Sequence, residues 1–312
     1  LGARGGAARE DCDASTNVRR RSGSVGGRVR PLLKWAGGKS KLAGQISGAF
    51  GGRCKGRWIE PFIGSGSVYL YRRAKGEIDD ALIADVNPKL VAMHVAVRDE
   101  VDDVITELAR LPVASGWESV YAAVRDDFND GPWVGPRHAA RFLWLNRAGF
   151  NGLYRENRRG HFNVPVGRYT TLAPPTPAHL REVSGLLQGA EIVCSGFADV
   201  MRRAGPGDHV YCDPPYVPLN ATAAFTNYAK DPFGLEEQVA LASSAMRAAL
   251  RGACVVLSNH DLPIVRNELY PEASGFRVHA RPEVGRPISR SASTRKAITE
   301  VIAAIGPLLQ VA

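Results

Sequence analysis

The chain has 312 residues, 45% hydrophobic and 23% charged, with a formal net charge of +9. That length suffices for one large core or a core with a smaller inserted unit, and the composition is that of an ordinary globular protein. No apolar run approaches the ~18 residues that a membrane-spanning helix needs, so a membrane protein is not expected. Arg4, Arg9, Glu10, Asp11 and Asp13 leave no apolar stretch near the start for a secretory signal. The cysteines (Cys12, Cys54, Cys194, Cys212 and Cys254) lie far apart, and the histidines form no cluster. Reduced thiols, a cytoplasmic setting and no protein-bound metal are therefore expected.

Residues 1–28 are rich in Gly, Ser, Arg and Ala without apolar periodicity, which predicts a disordered extension. "LLKWAGGKSKL" (32–42) then raises the prospect of a phosphate-binding loop. A Walker A motif needs a glycine five positions before the second one, and Leu33 stands there before Gly38. No clear strand precedes the run, so a nucleoside-triphosphatase is disfavoured. "GRWIEPFIGSGSVYL" (56–70) reads as a short buried strand over Trp58–Glu60, a glycine turn and a helix opening near Ser67. "ALIADVNPKL" (81–90) reads as a second strand ending at Asp85, followed by a helix. Gly64 and Gly66 allow a sharp turn and close ligand approach, and a carboxylate at Asp85 can accept the hydroxyl hydrogens of a ribose. A further glycine of the dinucleotide fingerprint is absent after Gly66. A nucleoside-containing ligand without a pyrophosphate is the better fit.

From about Asp102 to Arg181 the pattern is mostly helical, ending in a Pro/Gly-punctuated tail. Between Arg137 and Arg168 come Arg141, Arg147, Arg155, Arg158 and Arg159, opposed in that window by Glu156 alone. They are interleaved with Phe142, Trp144, Phe150, Tyr154 and Phe162. Arginine forks suit phosphates and guanine edges, and aromatics suit bases, so this run favours nucleic acid over a solvated helix face. Strand signals return in "EIVCSGF" (191–197), "DHVYCDPPY" (208–216) and "ACVVLSNHD" (253–261). "GFRVHARPEV" (275–284) and "AITEVIAAI" (297–305) suit a closing antiparallel pair around a loop rich in Ser, Arg and Thr. Strands alternating with helices imply a parallel α/β sheet, built from both ends of the chain around an insert of roughly 80 residues.

"DPPY", Asp213–Tyr216, follows the strand from His209. The two prolines fix an extended turn and remove two donors. The Asp213 carboxylate and Pro214 carbonyl are left as acceptors beside the Tyr216 ring, which suits an exocyclic amino group on a stacked base. Cys212, inside the strand, reads as core.

With these residues in view, the chain from Leu32 to about Ile305 resembles the Dam family of D12-class adenine-N6 DNA methyltransferases, which recognise GATC. "KWAGGKSKL", "EPFIGSGSV", "ADVN", "LNRAGFNGLYRENRRGHFNVPVGRY" (145–169), "YCDPPYVPLNATAAFTNY" and "LSNHD" occur in the family's order. Gly196 and Phe150 depart from residues common in relatives, and residues 1–28 have no counterpart. The resemblance implies a Rossmann-like S-adenosylmethionine-dependent methyltransferase sheet, with residues 29–95 and 182–306 forming the catalytic domain. Residues 96–181 would form an inserted, mostly helical target-recognition domain.

It further implies methyl transfer to adenine N6 in duplex DNA by base flipping and direct in-line transfer. Asp213, Pro214, Pro215 and Tyr216 would be catalytic. Trp35, Lys39, Phe62, Gly64, Gly66, Asp85, Phe197 and Asp213 would hold S-adenosylmethionine. Lys34, Arg147, Asn151, Leu153, Arg155, Pro165 and Tyr169 would face DNA, with Arg155 on guanine and Arg147, Arg158 and Arg168 on phosphates. A monomer in the cytoplasm, bacterial and nucleoid-associated or phage-encoded, is implied too. A catalytically silent DNA-binding relative and an enzyme with another short site are the alternatives.

Overall fold

The computed structural model describes residues 29–219, 233–284 and 298–307. Its strands are β1 (Arg57–Glu60), β2 (Asp80–Asp85), β3 (Ala190–Cys194), β4 (His209–Cys212), β5 (Cys254–His260), β6 (Arg277–Ala280), β7 (Glu283–Val284) and β8 (Ile298–Ile305). They form one sheet in the order β3-β2-β1-β4-β5-β8-β6, with β7 pairing to β8. β1 to β5 are parallel to one another, while β8 runs antiparallel to β5 and β6. The expected closing pair is thus β6 and β8. The loop between them, the extension 1–28 and most of the segment trailing Tyr216 lie outside the described residues.

Buried parallel strands read as continuous apolar runs because both faces are covered. Side chains alternate between the two faces. Trp58, Ile83, Tyr211, Val256 and Ile302 join one core, whereas Ile59, Leu82, Val210, Val255 and Val301 join the other. The first core is covered by α1 (Ala43–Ala49), α2 (Ser67–Ala74), α3 (Pro88–Asp99), α4 (Val101–Ala109), α5 (Tyr121–Asp130), α6 (Gly135–Ala148) and α7 (Pro177–Leu187). The second is covered by α8 (Phe197–Arg202) and α9 (Leu235–Leu250).

Local chemistry sets the helix starts. The Asn87 side chain accepts from the amides of Lys89 and Leu90, and Pro88 occupies the first helical position of α3. Thr176 caps α7 in the same way, followed by Pro177. Phe142, Leu143, Trp144 and Leu145 of α6 are all buried, so most of this helix faces apolar neighbours, while Arg137 and Arg141 mark its polar side. It packs on α3, α4 and α5. Positions 96 and 181 fall within the continuous helices α3 and α7, and the helices between them share their apolar core with one face of the sheet.

Asn146, near the end of α6, joins three chain segments. Its Oδ1 accepts from the Lys34 amide at 2.8 Å, and its Nδ2 donates to the carbonyls of Lys34 at 2.8 Å and Gly152 at 3.0 Å. Asn146→Ala leaves those backbone groups unpaired and is expected to destabilise the fold by about 2–3 kcal/mol in urea unfolding. A loss below ~0.5 kcal/mol would show that water takes over the bonds.

His209, at the start of β4, stacks on Phe50 with centroids 4.8 Å apart. Its Nδ1 lies 3.4 Å from Arg72 Nη2, which can only donate, so the ring is neutral. Burial, then the Arg72 charge, pushes the His209 pKa from its ordinary 6.5 to about 4. Burial also lowers the pKa of His94 and His138. As pH falls below 6.5 the unfolded chain takes up the His209 proton first, so stability is lost down to about pH 4. The midpoint temperature is therefore expected to drop across that window. His209→Phe, which keeps the ring but cannot titrate, should flatten the slope, and an unchanged slope would contradict the assignment.

Candidate active site and nucleic-acid face

In an open α/β sheet, ligands gather outside the carboxyl ends of the strands where the strand order reverses. Here that point lies between β1 and β4. The turn Pro61–Gly66 leaves the end of β1, and Asp213–Val217 leaves the end of β4.

The glycine turn is built by close approach and by backbone bonds. Gly64 has φ +47°, and a Cβ there would stand 2.9 Å from the Trp35 indole. Gly66, at φ +73°, forms the left-handed start of α2. The Asp85 carboxylate accepts from the Gly64 amide at 3.2 Å and from the Asn87 amide at 3.0 Å, while burial pushes its pKa up. The Gly64 carbonyl accepts from His94 Nε2 at 2.9 Å, so that nitrogen carries a proton, and burial lowers the His94 pKa, which favours the neutral ring. His94 carried no signal in the sequence beyond being a histidine on an apolar helix face. Phe62 stacks on Phe197 with centroids 5.8 Å apart, and Phe233 sits edge-on to both.

Lys39 is 5% exposed, and its Nζ donates to the Gly37 carbonyl at 2.6 Å. The same ammonium lies 3.0 Å from Asp213 Oδ1, 3.9 Å from Glu300 Oε2 and 4.7 Å from the Tyr216 ring centroid. Asp213 Oδ1 is buried and faces this charge without a well-directed hydrogen bond. Burial pushes the Asp213 pKa up, and the Lys39 ammonium pulls it back. The Tyr216 hydroxyl donates to Glu300 Oε2 at 2.9 Å. Glu300 lies on β8, and no local pattern of residues marks it as part of this site.

The turn after Asp213 is held from β5 and α9. Asn259 Oδ1 accepts from the Val217 amide at 3.1 Å, its Nδ2 donates to Gln238 Oε1 at 3.1 Å, and Gln238 Nε2 donates to the Pro215 carbonyl at 2.7 Å. Both side chains are fully buried. Asn259 belongs to "LSNHD", so its position was legible although its role was not. Cys212 is buried, and burial with the nearby Glu60 and Asp213 carboxylates holds its thiol far above the ordinary range, as befits a core residue.

The residues read as DNA-facing fall into two groups. Lys34 is exposed, with its Nζ 5.2 Å from the Tyr169 ring centroid, and it crosses Gly152, where a Cβ would stand 2.5 Å from Lys34 Cδ. Asn151 is exposed at φ +55°, Leu153 packs on the core, and the carbonyl of exposed Pro165 accepts from the Phe150 amide at 2.9 Å. Arg155 is exposed on a hairpin closed by the Glu156–Phe162 bridge, and its Nε and Nη2 donate to the Asn163 side-chain and main-chain oxygens at 2.7 and 3.0 Å. Arg158 and Arg168 are exposed. Arg147 is half-buried instead, donating to the Leu32 carbonyl at 2.7 Å, and burial lowers its pKa.

The arginine run is more balanced than its sequence window suggested. Arg137 pairs with Asp127 at 2.6 Å, and Arg141 pairs with Asp127 and Glu107. Those acids come from α4 and α5, outside the window. Part of the run is therefore an ion-paired helix face.

Among the described residues no helix is long and apolar enough to cross a membrane, and no group of His, Cys, Asp or Glu could hold a metal ion. Residues 35–282 match the family of D12 class N6 adenine-specific DNA methyltransferases. The chain is 39% identical over 282 residues to the DNA adenine methylase of Escherichia coli (strain K12), covering 89% of this chain and 96% of that protein. It is 38% identical over 245 residues to the type II methyltransferase M.MjaIII of Methanocaldococcus jannaschii, covering 74% and 84%. With the glycine turn and Asp213–Tyr216 side by side at the sheet's switch point, and with relatives matched over nearly their full length, the chain belongs to the D12 class of N6 adenine-specific DNA methyltransferases.

Proposed function

We propose that this methyltransferase takes its methyl group from S-adenosylmethionine and delivers it to a flipped adenine in duplex DNA, at GATC. The observation that carries this reading is the meeting of Asp213, Tyr216 and Lys39 beside the Gly64 turn. The site suits the methyl donor on two counts. Gly64 is a cradle that a Cβ would fill, and Asp85 already gathers amides at the end of β2, where a ribose can share its acceptors. Trp35, Phe62, Gly66 and Phe197 complete the walls, and Lys39 adds a cation for a carboxylate. The bound donor supplies an electrophilic methyl on a sulfonium.

The chain's own residues do the rest. The adenine N6 lone pair is delocalised into the ring and is a poor nucleophile. Asp213 and the Pro214 carbonyl accept its two hydrogens, which draws electron density onto nitrogen, while Pro215 stiffens the turn and Tyr216 stacks the ring. Catalysis is then positioning and electrostatics without a covalent enzyme intermediate. Lys39 opposes the burial that raises the Asp213 pKa and so favours the ionised state, in which the carboxylate can accept. Unstacking the base costs a few kcal/mol, offset by the pocket. Residues 96–181 supply the reading surface. Arg155, held by Asn163, takes guanine by a bidentate contact, and Lys34, Asn151, Leu153, Pro165 and Tyr169 surround the target. Arg158 and Arg168 position the phosphates, and Arg147 contributes through the Leu32 carbonyl it holds and its remaining charge. The GATC site rests on the likeness of residues 145–169 to the recognition segment of Dam enzymes.

Labelled S-adenosylmethionine with a GATC duplex should give label on adenine N6, and a GTTC duplex should give none. Equal labelling of both would remove the site assignment, and no labelling of either would remove the donor. Asp213→Ala is expected to slow transfer by about 10³-fold or more while leaving DNA affinity nearly unchanged. Lys39→Gln removes the charge that holds the Asp213 pKa down. The acid limb of the rate profile should therefore move to higher pH, by about one unit or more. An acid limb that stays in place would separate Lys39 from the ionisation of Asp213.

A further inference from the structure

We propose that Lys89 is a positioning residue for base discrimination, clamping the 155–163 hairpin to the first turn of α3 through its ion pair with Glu156. This rests on the reading of that hairpin as the guanine reader. Lys89 is 2% exposed, and lysine is almost never this buried unless paired. It also sits in the first turn of a helix, where the dipole disfavours a cation. A charge placed against both tendencies has to be held by its partners. Its Nζ is 2.8 Å from Glu156 Oε1, donates to the Gly160 carbonyl, and lies 4.3 Å from the Trp133 ring centroid.

Both ends of the clamp are fixed. At its root, the Lys89 amide donates to the Asn87 side chain at 3.0 Å, and the Lys89 carbonyl accepts from His138 Nε2 at 2.9 Å. At its tip, Glu156 also accepts from the Tyr154 hydroxyl. The Tyr154 ring stacks on Phe142 at 5.2 Å and meets Trp35 at 5.4 Å, and Trp35 is the ring against the Gly64 turn. With Tyr154 and Glu156 tied inward, the intervening Arg155 is left exposed. The hairpin is thereby referenced to the Asp85–Asn87 turn and to Trp35, two parts of the cofactor-side wall, and its register fixes where the Arg155 guanidinium stands.

The test compares transfer to the GATC duplex with transfer to a duplex in which that guanine is replaced, as a ratio of kcat/KM values that does not depend on the folded fraction. Lys89→Met and Glu156→Gln are each expected to lower the ratio about tenfold, with kcat on GATC nearly unchanged and KM for DNA raised. The double variant should lose no more than either single one. Glu156 is partly exposed and Gln is isosteric, so that variant tests the clamp with the fold kept even if Lys89→Met loses stability. Wild-type ratios in Glu156→Gln and in any folded Lys89→Met, with only the melting temperature lowered, would overturn the proposal. Arg155→Ala is measured alongside. If its ratio alone stays at the wild-type value, the guanine contact belongs to another residue of the hairpin and the clamp stands.

Discussion

The ion pair between Lys39 and Asp213 organises this molecule, because it brings together charges from a loop ahead of the sheet and from the end of β4 in a place where water is scarce. Removing two charges from water costs several kcal/mol per ion, so such a pair does not by itself signal stability. What it secures is an ammonium that offsets part of the upward push burial gives the Asp213 pKa. The demand spreads outward. Glu300 shares the same ammonium and fixes the Tyr216 hydroxyl, so β8 is drawn into the site although it is far from β4 in sequence.

Around that pair, the geometry is set largely by buried polar side chains that complete backbone hydrogen bonds. Asn146 holds Lys34 and Gly152, His94 holds Gly64, and Asn259 with Gln238 holds the turn after Asp213. Each lies in a setting where an unmade bond is costly, so each permits one backbone position and few others. The glycines act from the opposite side. At Gly64 and Gly152 a side chain would collide with Trp35 and Lys34, so the chain can pass close only where nothing projects.

Much of this was legible in advance. The strands appear where apolar runs end in turn residues, and the glycine turn, Asp85 and Asp213–Tyr216 meet at the predicted sheet end. Those features are local: a strand, a φ-positive turn or a proline pair is written in a few adjacent residues. The arginine run was overread for the same reason, since Asp127 and Glu107 that neutralise Arg137 and Arg141 lie outside any local window. Glu300, His94 and Lys89 were invisible because an acid on a strand, or a histidine or lysine on a helix, has no meaning until its partner is known.

The amino-acid order alone set where strands alternate with helices and which side chains stand at the strand ends. Which charges cancel, which arginines are committed to carbonyls, and how the 155–163 hairpin is tied to α3 follow from the folded chain alone. The reason is physical. Propensity and periodicity act over a few residues, whereas the cost of burying a charge or an amide is settled by whichever distant group arrives to meet it.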